Sequence, residues 1–88
     1  MMNKSWFVVD VIYPAHNKFY ILTITSGINK FICEVTPETP ILKGDMIHCP
    51  VDGNCFLNNK ENSKTTIISM VKYSTVHWRI LKNILQEK

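Results

Sequence analysis

The chain holds a small set of residues with ligand or nucleophile chemistry: Cys33, His48, Cys49 and Cys55. Thiolate and imidazole are zinc ligands, and a structural zinc site needs four of them in tetrahedral array. His48 and Cys49 are adjacent, however, and neighbours in a strand point to opposite faces. No Cys-x-x-Cys knuckle is present. Buried free cysteines are the commoner use of such residues. The odd count of 3 Cys argues against a secreted disulfide framework, so the expectation is three free thiols and no intramolecular disulfide. Cys55, beside the turn at Gly53, is a nucleophile only if a histidine stands next to it. His16, His48 and His77 are available, and no spacing singles one out. Of the carboxylates, Asp10 and Glu34 sit in strand patterns, while Asp45 and Asp52 read as turn formers. The sequence predicts no catalytic residue, no metal site, no cofactor and no enzyme.

A second set pairs aromatic rings with cations. Trp6, Phe19, Lys30 and His48 fall on the expected outer parity of their strands. Lys18, Lys43, Lys60 and Lys64 lie in or beside loops. An exposed ring stacks a base, and a nearby cation holds its phosphate. This is the arrangement of a single-strand binder, with DNA ahead of RNA. The competing reading puts Trp6 and Phe19 in a core. A third set is Trp78, Leu81 and Leu85, at the i, i+3, i+7 spacing of anchors for a partner groove. The same stripe equally covers the chain's own barrel, and a thin core favours that use.

The elements that must position these residues read as follows. A first strand covers 6–13; Asp10, its one charge, marks Trp6, Val8 and Ile12 as outer and Phe7, Val9, Val11 and Tyr13 as inner. In the second strand Thr23 and Thr25 set Phe19 and Ile21 outside, with Tyr20, Leu22 and Ile24 inside. In the third, Lys30, Ile32 and Glu34 are outer, and Phe31, Cys33 and Val35 inner. Ser26-Gly27 between these two strands signals a hairpin. A proline loop at 36–40 precedes the turn Lys43-Gly44-Asp45. A fourth strand covers 46–51, with Ile47, Cys49 and Val51 inward. Asp52-Gly53-Asn54 turns into a short return at 55–57, followed by a polar loop over 58–64 and a fifth strand over 65–73. A helix capped by Ser74 or Thr75 then covers about 75–86. Its expected inner stripe is His77, Ile80, Leu81, Ile84 and Leu85, with Trp78 at the edge and Arg79, Lys82, Asn83 and Glu87 facing away.

The length of 88 residues predicts one domain over 1–88. The net charge of +3 is basic but modest for a nucleic-acid footprint, and every basic residue except Arg79 is a lysine. No apolar run approaches the roughly 20 residues of a membrane span, and the N-terminus lacks a signal-peptide pattern. The expectation is a soluble intracellular protein with no membrane partner.

The run Lys18-Phe19-Tyr20-Ile21-Leu22-Thr23-Ile24 resembles the asparagine–glycine–phenylalanine strand near the start of RecD-like helicases. Cys33 to Asp45, with its proline loop and Lys43-Gly44-Asp45, is similar to the next strand and the glycine–acid turn of that OB-type domain. Asn17-Lys18 stands where the family has asparagine–glycine. The chain lacks the G-x-x-x-x-G-K-[ST] loop of a helicase core. The resemblance implies a free-standing accessory barrel over about 5–73. The fold expected is therefore all-β: a five-stranded OB-like barrel with a C-terminal helix. The expected function is non-catalytic binding of single-stranded nucleic acid through the central hairpin. The alternative is a protein-interaction barrel that docks through its helix or an edge strand on a replication or transcription complex, or on a second copy of itself.

Overall fold

The structure, a computed structural model, describes residues 4–13, 19–37, 40–49, 55–58 and 64–85. Its elements are β1 (Lys4–Ile12), β2 (Tyr20–Ser26), β3 (Asn29–Pro37), β4 (Met46–Cys49), β5 (Cys55–Leu57), β6 (Lys64–Lys72) and α1 (Thr75–Leu85). The strands close a barrel in the order β1-β2-β3-β6-β5-β4. The all-β class and the terminal helix are as expected, but the barrel has six strands. The segment 55–57 is a full member: it pairs with β4 on one side and β6 on the other. The turns at 14–17 and 52–54, Val51, Glu87 and most of the polar loop after Asn58 lie outside the described residues.

The β2–β3 hairpin is antiparallel and continuous from Tyr20↔Val35 to Ser26↔Asn29. Its connection is Gly27-Ile28, with Gly27 at φ 64°. A two-residue hairpin turn needs positive φ at its first central position, and glycine takes it without a Cβ clash. The Lys43-Gly44-Asp45 turn is stitched to β1. Gly44 N donates to Val8 O at 2.9 Å, and Val8 N donates to Asp45 O at 2.9 Å. Asp45 Oδ2 accepts from Leu42 N at 2.9 Å, which closes the turn on itself.

The parity expected of β1 is overturned at its N-terminal half. Its register with β2 slips between Val8 and Asp10. Val9 is the extra residue of a bulge, and a bulge resets which side chains face in. Trp6 and Val8 are therefore buried inside the barrel, while Phe7 is exposed. Counting outward from Asp10 carries the wrong phase across the bulge. In β2 and β3 the inner sets are as expected, with Leu22, Ile24, Cys33 and Val35 in the barrel core beside Val11, Ile41, Ile47 and Leu57.

The expected outer residues Ile21 and Ile32 are also buried, for a different reason. With Ile12 and Trp78 they form a second core beneath α1, flanked by Phe19, Tyr73, Leu81 and Leu85. Each fully buried aliphatic side chain contributes about 1.5–3 kcal/mol, so this second layer matters in a small chain. Ser74 caps the helix: His77 N donates to Ser74 Oγ at 3.2 Å, and Trp78 N to Ser74 O at 2.9 Å. A side-chain oxygen at this position satisfies a donor that has no partner within the helix.

Cys49 and Cys55 form a disulfide across six positions of sequence. This corrects the expectation of three free thiols. The register Ile47↔Leu57 and His48↔Phe56 sets Cys49 directly opposite Cys55, with their Cα atoms 4.2 Å apart. The odd count leaves Cys33 as the free thiol, and it is buried.

Candidate functional site

The expected nucleic-acid residues are dispersed. Trp6 is only 6 % exposed. Its ring packs edge-on against Phe31 with centroids 5.6 Å apart. A ring enclosed in this way has no face to stack on a base. Phe19 is half-buried against the core beneath α1. His48 is half-buried, with Nδ1 2.9 Å from Ser5 Oγ. Lys30 is exposed and places Nζ 4.1 Å from the centroid of the Tyr73 ring. Lys43 is exposed in its turn, and Lys64 is exposed at the start of β6. Lys18 and Lys60 lie outside the described residues. On the β3–β6 ladder Lys30 lies next to the Phe31↔Lys72 end, and Lys64 lies beyond the Pro37↔Thr65 end. At about 3.3 Å per residue the two cations are roughly 25 Å apart along the ladder, so the structure does not gather them.

The expected partner anchors Trp78, Leu81 and Leu85 form the inner face of α1. Trp78 is 7 % exposed, and Leu81 and Leu85 pack against the same core. The helix is rotated relative to the stripe read from sequence. The pin that sets the rotation is Asp10. Its carboxylate accepts from Trp78 Nε1 at 3.1 Å and from Lys82 Nζ at 3.4 Å. Lys82, expected to face solvent, is therefore turned toward the barrel. Val76, Ile80 and Ile84 take its place on the open face, at 64 %, 49 % and 61 % exposure. Sequence reasoning missed this second stripe because α1 carries apolar residues on two sides. The one signal for the right phase was Trp78, the largest apolar side chain of the helix, which belongs at the centre of the buried face.

The open stripe is followed by exposed apolar residues on β6, namely Ile68, Met70 and Val71. A shallow groove joins the two elements, lined by Ile21, Ile32, Ser69, Val71, His77 and Leu81. The acids near this surface are engaged. Glu34 Oε1 lies 3.4 Å from Ser69 Oγ, its donor. Asp10 is held below the usual carboxylate range: burial pushes it up, but the Val11 amide, Trp78 and Lys82 outweigh burial. The cations Lys30, Lys64, Lys72 and Arg79 are exposed, and among the described residues the only ion pair is Lys82–Asp10. Among the described residues, what remains open on this surface is thus apolar and basic.

Catalytic chemistry finds little footing here. Burial pushes the Cys33 thiol up to about 12, which keeps it protonated and unreactive at neutral pH. Cys55 is tied to Cys49. Among the described residues no three of His, Cys, Asp and Glu come together as a metal would require. Among the described residues no helix is long and apolar enough to cross a membrane.

Among curated proteins no match was found. Among solved structures, the crystal structure of E. coli PmrD superposes with a TM-score of 0.83 over 92 % of this chain and 98 % of that one, at 18 % identity. At that identity the likeness speaks for the fold. The family model for IraM/PmrD matches residues 4–79, which includes all six strands and the first part of α1. These findings overturn the resemblance to the OB-type domain of RecD-like helicases, whose strand and glycine–acid turn patterns recur in unrelated small barrels. The chain belongs to the IraM/PmrD family.

Proposed function

We propose that this protein is a small non-catalytic regulator that acts by binding another protein, with the outer face of α1 as part of its contact surface. The observation that carries this reading is the stripe Val76, Ile80 and Ile84. The helix already has a buried face, held by Trp78, Leu81 and Leu85. A second apolar face on a helix so short costs solubility and adds nothing to the fold. Apolar residues grouped in this way mark interaction surfaces. Family membership supports the same reading, since it favours a protein partner over nucleic acid.

The test is the double variant Ile80→Asp/Ile84→Asp. Both side chains face solvent, so the thermal midpoint should move little. The wild-type protein, used as bait in extract from its own source, should retain a specific protein that the variant loses. Equal retention by both would remove the helix face from the interaction.

A further inference from the structure

β5 is 3 residues long, and it is the strand that joins β4 to β6. On its β4 side, Asn58 N donates to Met46 O at 2.6 Å, and Met46 N donates to Asn58 Oδ1 at 3.0 Å. In an antiparallel pair, bonded and non-bonded positions alternate. Main-chain bonding therefore skips Ile47↔Leu57, returns at His48↔Phe56 and skips again at Cys49 and Cys55. Their Cα separation of 4.2 Å is that of a non-bonded pair. The disulfide thus stands where main-chain bonding between the two strands leaves off. On the other side, β5 meets β6 at Cys55↔Thr65 and Phe56↔Lys64. From 66 to 72 that side of β6 has no strand partner among the described residues.

Thr65 adds an independent observation. Its Oγ1 is buried and has no hydrogen-bond partner among the described residues. A buried hydroxyl left unpaired is destabilising. Thr65 lies directly opposite Cys55, so the two side chains share the inner face, with Cβ atoms about 4.5–5.5 Å apart. A disulfide sulfur carries no hydrogen to donate. A Cys55 thiol does, since S–H is a weak donor. Reduction therefore offers this hydroxyl the partner it lacks.

We propose that the Cys49–Cys55 bridge is a reversible redox clasp on the barrel wall. Dithiol reductants open it in the folded protein, β5 is then released, and the Thr65 hydroxyl favours the open form. Cys49 is half-buried whereas Cys55 is buried, so Cys49 Sγ is the sulfur that a reductant reaches. A thiolate of the reductant bonds to Cys49 Sγ, the S–S bond breaks, and Cys55 leaves as a thiolate that takes up a proton. The second thiolate of the reductant attacks the reductant sulfur of this mixed disulfide. Cys49 leaves in turn and is protonated. The reductant ends as its own internal disulfide, oxidised by two electrons, and the protein as two thiols. Without the covalent tie, β5 keeps only the few main-chain bonds described above. Its release frees the edge of β4 and leaves β6 open along its whole side.

The test follows amide exchange in the isotope-labelled full chain, with and without dithiothreitol. Reduction should accelerate exchange at Phe56 and Thr65 at least about tenfold more than at the amides that join β2 to β3, as a local opening requires. Equal acceleration along the whole chain would make the bridge a staple of the entire fold. No acceleration at Phe56 and Thr65 would leave β5 in place, and a bridge that dithiothreitol reduces only in denaturant would not be a clasp of the folded state. Each of these three results overturns the proposal. In Thr65→Val, the ratio of thiol to disulfide form at a fixed ratio of reduced to oxidised dithiothreitol should fall about fivefold, the worth of one hydrogen bond. Thr23→Val removes a second buried, unpartnered hydroxyl, distant from the bridge, and should leave that ratio unchanged. A fall in both variants, or in neither, overturns the role of Thr65. Spectral dispersion checks that the variants fold, and the exchange comparison needs the wild-type chain alone.

Discussion

Asp10 ties β1 to α1. Val11 N donates to its Oδ1 at 2.9 Å, and Trp78 Nε1 and Lys82 Nζ share its Oδ2 at 3.1 and 3.4 Å. Its folded pKa lies below the ordinary 3.8. A carboxylate whose pKa is depressed by folding contributes stability that is fully present above the unfolded value and lost as pH falls through the folded one. Trp78 emission should therefore hold steady down to about pH 4 and change only below it. In Asp10→Asn the part of that acid step due to residue 10 should vanish, and stability at neutral pH should fall by about 1–3 kcal/mol, the range for a hydrogen-bonded charged group. A variant with unchanged stability and an unchanged acid limb would show that Asp10 does not hold the helix. Phe19 is the second residue whose role the structure redefines. It packs against the core beneath α1, so Phe19→Ala should act on folding. Because the ring is half-buried, the expected cost is about 2 kcal/mol, short of the 3–5 kcal/mol of a fully enclosed phenylalanine. Denaturant midpoints measure it; a midpoint equal to wild type would put the ring in solvent.

At the scale of elements, β4 and β5 are the shortest strands, at 4 and 3 residues, yet they close the barrel. The Cys49–Cys55 bridge joins them where few hydrogen bonds can. In the chain-entropy view a loop this short contributes about 2 kcal/mol. Denatured, unreduced protein should titrate as one free thiol and, after reduction, as three. The folded protein should leave Cys33 unmodified by thiol reagents at neutral pH, since that thiol is buried and protonated. Three free thiols before reduction would remove the bridge. α1 shows how a helix that is apolar on two sides is oriented. The side with Trp78 wins because its indole fills the space over Ile12, Ile21 and Ile32 and its N–H finds a carboxylate. Burying Ile80 and Ile84 instead would leave Asp10 without that donor.

The molecule as a whole is elongated, 40 × 27 × 20 Å. Ile28 at the β2–β3 turn is 99 % exposed. Among the described residues the cations are spread over this shape; Lys30 and Lys72 share a groove with Phe31 and Tyr73, and Lys43 and Lys64 lie away from it. Nucleic-acid affinity scales with phosphates neutralised together, and it falls steeply with salt. Any binding to labelled single-stranded oligonucleotides should thus be weak and gone near physiological salt. Tight binding that survives there, weakened by Lys30→Ala and Lys64→Ala alike, would reinstate the nucleic-acid reading. Among the described residues the open surface along α1 and β6 is instead apolar with a basic border.

The periodicities of β2 and β3, the Gly27 and Gly44 turns, the strand character of 64–72 and the helix after Ser74 were all legible in the sequence. Each depends on local physics: a two-residue repeat, a positive φ, a capping hydroxyl. Three things were not legible. The Val9 bulge reverses the phase of β1, and no local preference marks where one residue is left unpaired. The Cys49–Cys55 bridge depends on the β4–β5 register, which three- and four-residue strands do not announce. The second core depends on where α1 lands, and a helix with two apolar stripes leaves that choice to its neighbours. Composition and local pattern therefore determined five of the six strands and the helix, but not that 55–57 joins the barrel as a strand of its own. The tertiary structure decided which aromatic rings are hidden, which apolar stripe is left open and which strand keeps a free edge, because each of these depends on partners distant in the chain.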